Sequence, residues 1–257
     1  MVSLITQRLR SAGLVFFLCI IPAAAASRSF SHPKISTSKV SLELYYESLC
    51  PYSANFVVNY LADVVNDDEL ISAVDLRLYP WGNAKVRSNN TFSCQHGPYE
   101  CILNTVEACA IEAWPDLNDH FLFIQCIETL VLAHKYQQWG TCFQQLGLDP
   151  NMIAECFTSG RGQELELQYA AATDALVPPH EYVPWVVVDG QPLYEDYENF
   201  VTYICDAFNG TAAPHACAEP SRSLQNRRSK PGRRVTFNHV AEEISRVAAK
   251  AEGTSVV

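Results

Sequence analysis

The chain has 257 residues, 48% of them hydrophobic and 18% charged, a globular composition that excludes a disordered or low-complexity protein. The net charge of −10 is unevenly spread: residues 1–38 and 219–257 each carry +4, while residues 39–218 hold six basic and 24 acidic side chains, a net −18. A body that acidic repels phosphate backbones, so nucleic-acid binding by the folded part is excluded.

Arg8 and Arg10 precede the 13-residue apolar run Leu14–Ala26, which ends in small residues with Ala24 and Ala26 spaced for cleavage. A membrane span needs roughly 20 apolar residues, so residues 1–26 are expected to be a signal peptide. No later stretch is long and apolar enough to cross a membrane. Residues 27–39, rich in Ser, Lys and Pro, read as a linker.

The segment Val40–Tyr46 alternates apolar and polar residues, the period of a strand. Pro51 suits the first position of a helix, where its missing N–H costs nothing, and Phe56, Val57, Tyr60, Leu61, Val64 and Val65 then recur at helical spacing. Cys50 therefore falls where a strand ends and a helix begins. A second strand is expected over Val74–Tyr79, stopping at Pro80-Trp81-Gly82-Asn83. Residues 83–93 read as a polar loop containing the sequon Asn89-Asn90-Thr91. Tyr99 to His134 is mostly helical with one break near Trp114-Pro115, and helical pieces follow near 149–158 and 162–175. Tyr182–Val188 reads as a β-branched strand running into the hairpin turn Asp189-Gly190. Residues 195–208 read as a closing helix, followed by a second sequon at Asn209. Beyond Cys217 the composition turns basic, and residues 218–257 read as a solvated tail with a weak helical pattern at 238–250; Arg227-Arg228 and Arg233-Arg234 would suit proteolytic removal.

Ten cysteines are too many for a reducing compartment unless they bind metal, and the sequence has no C-x-x-C pair and no H-x-x-x-H. Disulfides are the better reading. Cys19 lies in the leader, which leaves nine: Cys50, Cys94, Cys101, Cys109, Cys126, Cys142, Cys156, Cys205 and Cys217. An odd count implies a free thiol or an intermolecular link. If Cys50 is the free one, the other eight form structural disulfides among 105 possible connectivities, none of which the spacing selects.

The order of strand, cysteine at a helix start, strand, long helical segment, then a strand preceded by Val183-Pro184 points to an α/β, thioredoxin-like fold with a disulfide-rich helical insertion. In that arrangement the helix N-terminus stabilises a thiolate, and Pro184 would be cis and pack against Cys50. An unperturbed thiol is only about 0.03% ionised at pH 5, so acidic surroundings would demand such a site.

The stretch from Cys94 to Cys109, CQHGPYECILNTVEAC, matches the signature C-Q-H-G-x-x-E-C-x-x-N-x-x-x-x-C at every fixed position. It resembles the gamma-interferon-inducible lysosomal thiol reductase family, as do Pro80–Ala84 and Val183–Val186; the likeness covers about residues 40–217. The resemblance implies a thioredoxin-like fold, a route to lysosome, vacuole or cell exterior, and reduction of protein disulfides at acidic pH. It implies no metal and no organic cofactor, only a small thiol such as glutathione or cysteine as reductant. One departure alters the chemistry: where the family carries C-x-x-C, this chain has Cys50-Pro51-Tyr52-Ser53. Cys50 keeps the nucleophile's place, but a hydroxyl does not displace sulfur, so release of a mixed disulfide must come from an outside thiol or the substrate's second thiol. Ser53 could still donate a hydrogen bond to the Cys50 thiolate.

Cys50, Ser53 and Pro184 are thus the candidate catalytic residues, disulfide-containing proteins the expected substrates, and Asn89 and Asn209 the candidate glycosylation acceptors. Tyr52, Trp81 and Trp185 are candidates either for a peptide-binding surface or for plain core packing. Glu47 reads either as a solvated charge or as a group that raises the thiol pKa, and His96 as a surface or turn-stabilising side chain, with a ligand or acid-base group as the alternative. The rival function class is a non-catalytic thioredoxin-fold binding protein for unfolded chains; a disulfide-linked dimer through Cys50 is the structural alternative to a monomer.

Overall fold

A computed structural model describes residues 39–218; the expected signal peptide, the linker up to residue 38 and the basic tail lie outside the described residues. The chain opens with β1 (Val40–Tyr46), whose even-numbered Leu42, Leu44 and Tyr46 are fully buried. Helix α1 (Pro51–Phe56) continues through a wider π turn (Val57–Leu61) into α2 (Ala62–Val65), then α3 (Asp68–Ser72) leads to β2 (Val74–Pro80). The Asp67 side chain caps α3 by accepting from the Glu69 and Leu70 N–H groups. β2 lies parallel to β1, with Val40 opposite Val74 and Tyr46 opposite Pro80.

The stretch read as a polar loop instead holds a small antiparallel pair, β3 (Lys85–Val86) and β4 (Phe92–Ser93); two-residue strands are too short to show a period. Five helices follow: α4 (Pro98–Ala113), α5 (Leu117–Leu132), α6 (Thr141–Leu146), α7 (Pro150–Thr158) and α8 (Arg161–Asp174). The Trp114-Pro115 break separates α4 from α5, whose start is capped by Asp116 accepting the Asn118 N–H. β5 covers only Trp185–Val188 and turns through Asp189 and Gly190, both at positive φ, into β6 (Gln191–Pro192). Two consecutive positive φ values make the type I′ hairpin whose twist matches the strands. The expected closing helix is divided: Tyr194–Asn199 is 3₁₀ and only α9 (Phe200–Ala207) is α-helical.

The sheet order is β2-β1-β5-β6, with β1 parallel to β2 and β5 antiparallel to both neighbours. A parallel β-α-β unit, a helical insertion, then an antiparallel hairpin and a closing helix is the thioredoxin-like topology. Two cores hold it. One packs the inner sheet face against Phe56, Leu61, Phe121, Ile124, Phe200 and Ile204. The other lies within the insertion, around Val106, Trp114, Phe123, Ile127, Trp139 and Phe143.

Disulfides staple the insertion: Cys109–Cys156 joins α4 to α7, Cys126–Cys142 joins α5 to α6, and Cys94–Cys101 closes the loop before α4. Cys205–Cys217 ties α9 to the last described turn, leaving Cys50 as the free cysteine among the described residues. Such bridges suit an oxidising compartment. No helix among the described residues is long and apolar enough to cross a membrane.

Candidate active site

The turn Glu47-Ser48-Leu49 carries the chain from β1 to Cys50, whose N–H donates to the Glu47 carbonyl at 3.2 Å. Cys50 is the N-cap of α1, extended at φ −73° and ψ 118°, with Pro51 in the first helical position. Its residue is only 4% exposed, and Sγ lies 3.8 Å from the carbonyl oxygen of Val183. The Val183–Pro184 peptide bond is cis, so the loop entering β5 presents its backbone to the sulfur. Ser53 is buried, and the contact its hydroxyl makes is as acceptor of the Glu47 N–H at 3.5 Å. That replaces the expected donation to Cys50: Ser53 braces the turn from below.

The signature motif holds the same turn from the other side. Asn104 Oδ1 accepts the N–H and the hydroxyl of Ser48 at 3.0 and 2.8 Å. Glu47 is no solvated charge. It is fully buried; its Oε1 accepts the Asn83 N–H at 2.6 Å, and Oε2 lies 3.3 Å from His96 Nδ1. His96 Nδ1 lies 2.5 Å from Glu100 Oε2, and its N–H donates to Glu100 Oε1 at 3.1 Å. The Cys94–Cys101 bridge brackets His96 and Glu100. One atom from each of Glu47, His96 and Glu100 falls within 4.8 Å of the others, so among the described residues these three side chains could hold a cation; His96 and Glu100 are hydrogen-bonded to each other, while Glu47 Oε2 is buried with no hydrogen-bond partner. Burial, then the charge of Glu100, pushes the Glu47 carboxyl up to about 7, against the pull of Asn83 and His96.

Gly82 is shaped by this carboxylate. Its φ is +56°, and a Cβ there would sit 2.4 Å from Glu47 Cγ. The Gly82→Ala variant is therefore expected to lose about 2–4 kcal/mol, combining the left-handed backbone cost with overpacking against a pinned side chain. Chemical denaturation against the natural chain measures it, and a loss below about 0.5 kcal/mol would show that Glu47 is free to move.

Behind the turn lies a second set of buried acids that local sequence pattern did not single out. Tyr46 donates its hydroxyl to Glu107 Oε2 at 2.7 Å, and burial pushes the Glu107 carboxyl up to about 8. Glu128 and Glu166 are also buried and held well above the usual carboxylate range, first by burial and then by Glu107; the charge of Cys50 acts on Glu128 as well. A signal existed: Glu100 and Glu107 share a face of α4 with Leu103 and Ala110, and Glu128 stands in the Phe121–Ile124–Val131 stripe of α5. Acids on an apolar stripe are buried acids.

Of the aromatic candidates, Tyr52 is 69% exposed beside Cys50, whereas Trp81 and Trp185 are buried at 2% and 1%. Those two are core side chains: Trp185 is carried by β5, and Trp81, in the turn after β2, packs edge-on against Phe92 at 5.2 Å. Asn89 and Asn209 are both exposed; Asn89 Oδ1 accepts from the N–H and hydroxyl of Thr91.

A thioredoxin-like sheet with a free cysteine at the first helix and a cis-proline loop against its sulfur defines a thiol–disulfide oxidoreductase. Residues 41–146 match the model of the family described as gamma interferon inducible lysosomal thiol reductase. The chain is similar to a gamma-interferon-responsive lysosomal thiol protein of Arabidopsis thaliana, 38% identical over 79% of this chain and 85% of the relative. It is also similar to the gamma-interferon-inducible lysosomal thiol reductase of Mus musculus, 38% identical over 70% of this chain and 72% of that one. Among solved structures it is similar to MdbA, a thiol-disulfide oxidoreductase from Corynebacterium diphtheriae, with TM-score 0.42 and 14% identity over 66% of this chain and 86% of that chain. The chain belongs to the gamma-interferon-inducible lysosomal thiol reductase family.

Proposed function

We propose that the chain reduces or reshuffles protein disulfides by a monothiol route, with Cys50 as nucleophile and an external thiol such as glutathione or cysteine as the resolving agent. The observation that carries this reading is the isolation of Cys50: it faces the Val183 carbonyl at the start of α1, while the other eight cysteines of residues 39–218 are paired. Cys50 sulfur attacks one sulfur of the substrate; a Cys50–substrate bond forms, the substrate S–S bond breaks, and the departing thiolate takes a proton. The external thiol then attacks the substrate sulfur of the mixed disulfide: a bond forms between the two, the Cys50–substrate bond breaks and the electron pair leaves with Cys50; a second external thiol displaces the first as a small disulfide and releases the substrate thiol. The backbone at Val183-Pro184 positions the substrate strand, and Ser53 holds the turn without entering the exchange.

The four disulfides and the lysosomal names of the relatives support action in an acidic secretory or lysosome-type compartment, where exposed Asn89 and Asn209 would be glycosylated. Insulin reduction at pH 5 with excess glutathione tests the reading. Turnover is expected to scale with glutathione, and a Cys50→Ala variant is expected to retain less than about one part in a hundred of it. Absence of both reduction and isomerisation at every thiol concentration would favour a non-catalytic binding protein instead.

A further inference from the structure

The acidity of the described body is not spent evenly around Cys50. Tyr52 stands exposed one helical position beyond the sulfur's neighbour. Tyr197, on the 3₁₀ segment after β6, packs edge-on against Phe56 of α1 at 5.7 Å and feels the charges of Glu198, Glu195, Cys50 and Tyr52. Tyr182, two residues before Pro184, packs on Trp185 at 5.4 Å and lies in the fields of Glu195 and Glu181. Glu181, Glu195 and Glu198 are all exposed.

Few cations offset them. Of the six basic residues in the body, Arg77 pairs with Glu43 and Asp75, and Arg161 with Glu112 and Glu164. Lys85 acts on His180. The strongest charges acting on Tyr182 and Tyr197 are acidic or come from Cys50 and the neighbouring tyrosines. Asp196 is turned away, bonded to Asn199 and Tyr203.

We propose that the rim formed by Tyr52, Tyr182, Tyr197, Glu181, Glu195 and Glu198 is a docking surface for basic polypeptide segments, so that disulfides flanked by lysine or arginine react at Cys50 in preference to those flanked by acids. Tyrosine faces receive the cation and its methylene stem, and the carboxylates steer it in. This rests on Cys50 being the nucleophile.

Cysteine peptides activated as 2-pyridyl disulfides, flanked by two lysines or by two glutamates, separate the two ideas. Cys50 sulfur attacks the peptide sulfur, a Cys50–peptide bond forms, the old S–S bond breaks, and the electron pair leaves with pyridine-2-thiolate, which takes a proton. At about pH 6 exposed carboxylates are ionised. There the lysine peptide is expected to react about three- to tenfold faster at low salt, the ratio falling below about twofold near 0.5 M salt. A Glu195→Gln/Glu198→Gln variant should bring that ratio towards one; a ratio taken within one variant does not depend on how much of it folds.

Neutral 2,2′-dipyridyl disulfide supplies the control on the natural chain. No reaction of Cys50 with it would overturn the nucleophile itself. Reaction with it but equal lysine and glutamate rates would overturn only the rim. A preference absent in the full chain but present after cleavage at Arg227-Arg228 would give the surface to the chain's own basic tail rather than to substrate.

Discussion

A Ser53→Cys variant will free a bound peptide from Cys50 with no added thiol, whereas the natural chain will hold that peptide as a stable mixed disulfide. The substrate for this experiment is two peptides joined by one disulfide, so that no second substrate thiol can attack. In the natural chain the first peptide departs and the second stays on Cys50, because the Ser53 hydroxyl cannot displace sulfur. Residues three apart at a helix start lie about 5–6 Å apart at Cα, within the range a disulfide spans. A thiol at position 53 thus becomes an intramolecular nucleophile, and effective concentrations of that kind far exceed any glutathione pool. The adduct's lifetime should fall about a hundredfold or more. The fold should tolerate the change: Ser53 is buried, and its one long contact, accepting the Glu47 N–H at 3.5 Å, passes to sulfur at ordinary N–H···S length. An adduct equally long-lived in both proteins, with no bond between Cys50 and the introduced thiol in the peptide map, would mean that position 53 points away from Cys50.

That experiment turns on a departure readable from four residues, and much else near Cys50 is legible the same way. Val40–Tyr46 and Val74–Tyr79 announce themselves by alternation, and Pro51 marks the helix start. Asp189-Gly190 marks the hairpin. These signals are local: period, cap and turn are written within a few residues of where they act. What escapes the sequence is what depends on distant partners. Glu47 is buried by Asn83, His96 and Glu100, residues 36 to 53 positions away, so nothing in its own neighbourhood tells a solvated charge from a fixed one. Trp81 and Trp185 look equally suited to a surface or a core until the fold brings in what covers them, Phe92 and Ala170 over Trp81 and Tyr182 and Tyr194 against Trp185. The disulfide pairing follows from how α4, α5, α6 and α7 pack, not from spacing. The 3₁₀ segment Tyr194–Asn199 reads as α-helix because its composition is helical; Tyr194 at positive φ and the turn from β6 impose the tighter winding. The signature motif can be matched letter by letter, yet its role in clamping Glu47 and Ser48 requires the fold.

Unfolding free energy is expected to rise as pH falls from about 8 to about 5, by about 3 kcal/mol or more. The sign follows from the buried acids. Glu47 and Glu107 hold their protons up to about 7 and about 8, and Glu128 and Glu166 are raised as well, all chiefly by burial. In the unfolded chain the same carboxyls titrate near the reference value of 4.5. Between those limits the native state binds more protons than the unfolded one, so stability is greatest near pH 4.5–5 and is lost as pH rises through the folded values. Two groups oppose this. His120 and His180 are held below 6.5 by burial, so unfolding takes up protons there as pH falls. Four fully buried carboxyls outweigh two histidines, one of which is only half-buried. Below the carboxylate range the balance turns, because Glu112, held low by Arg161, loses its pair when protonated. The stability maximum therefore lies on the acid side of neutrality. Urea midpoints at pH 5 and pH 8 measure the effect. A Glu128→Gln variant, which keeps the volume but cannot ionise, should narrow the gap between them. Stability that is flat or climbs from pH 5 to pH 8 would mean these acids reach water or a cation in the native protein.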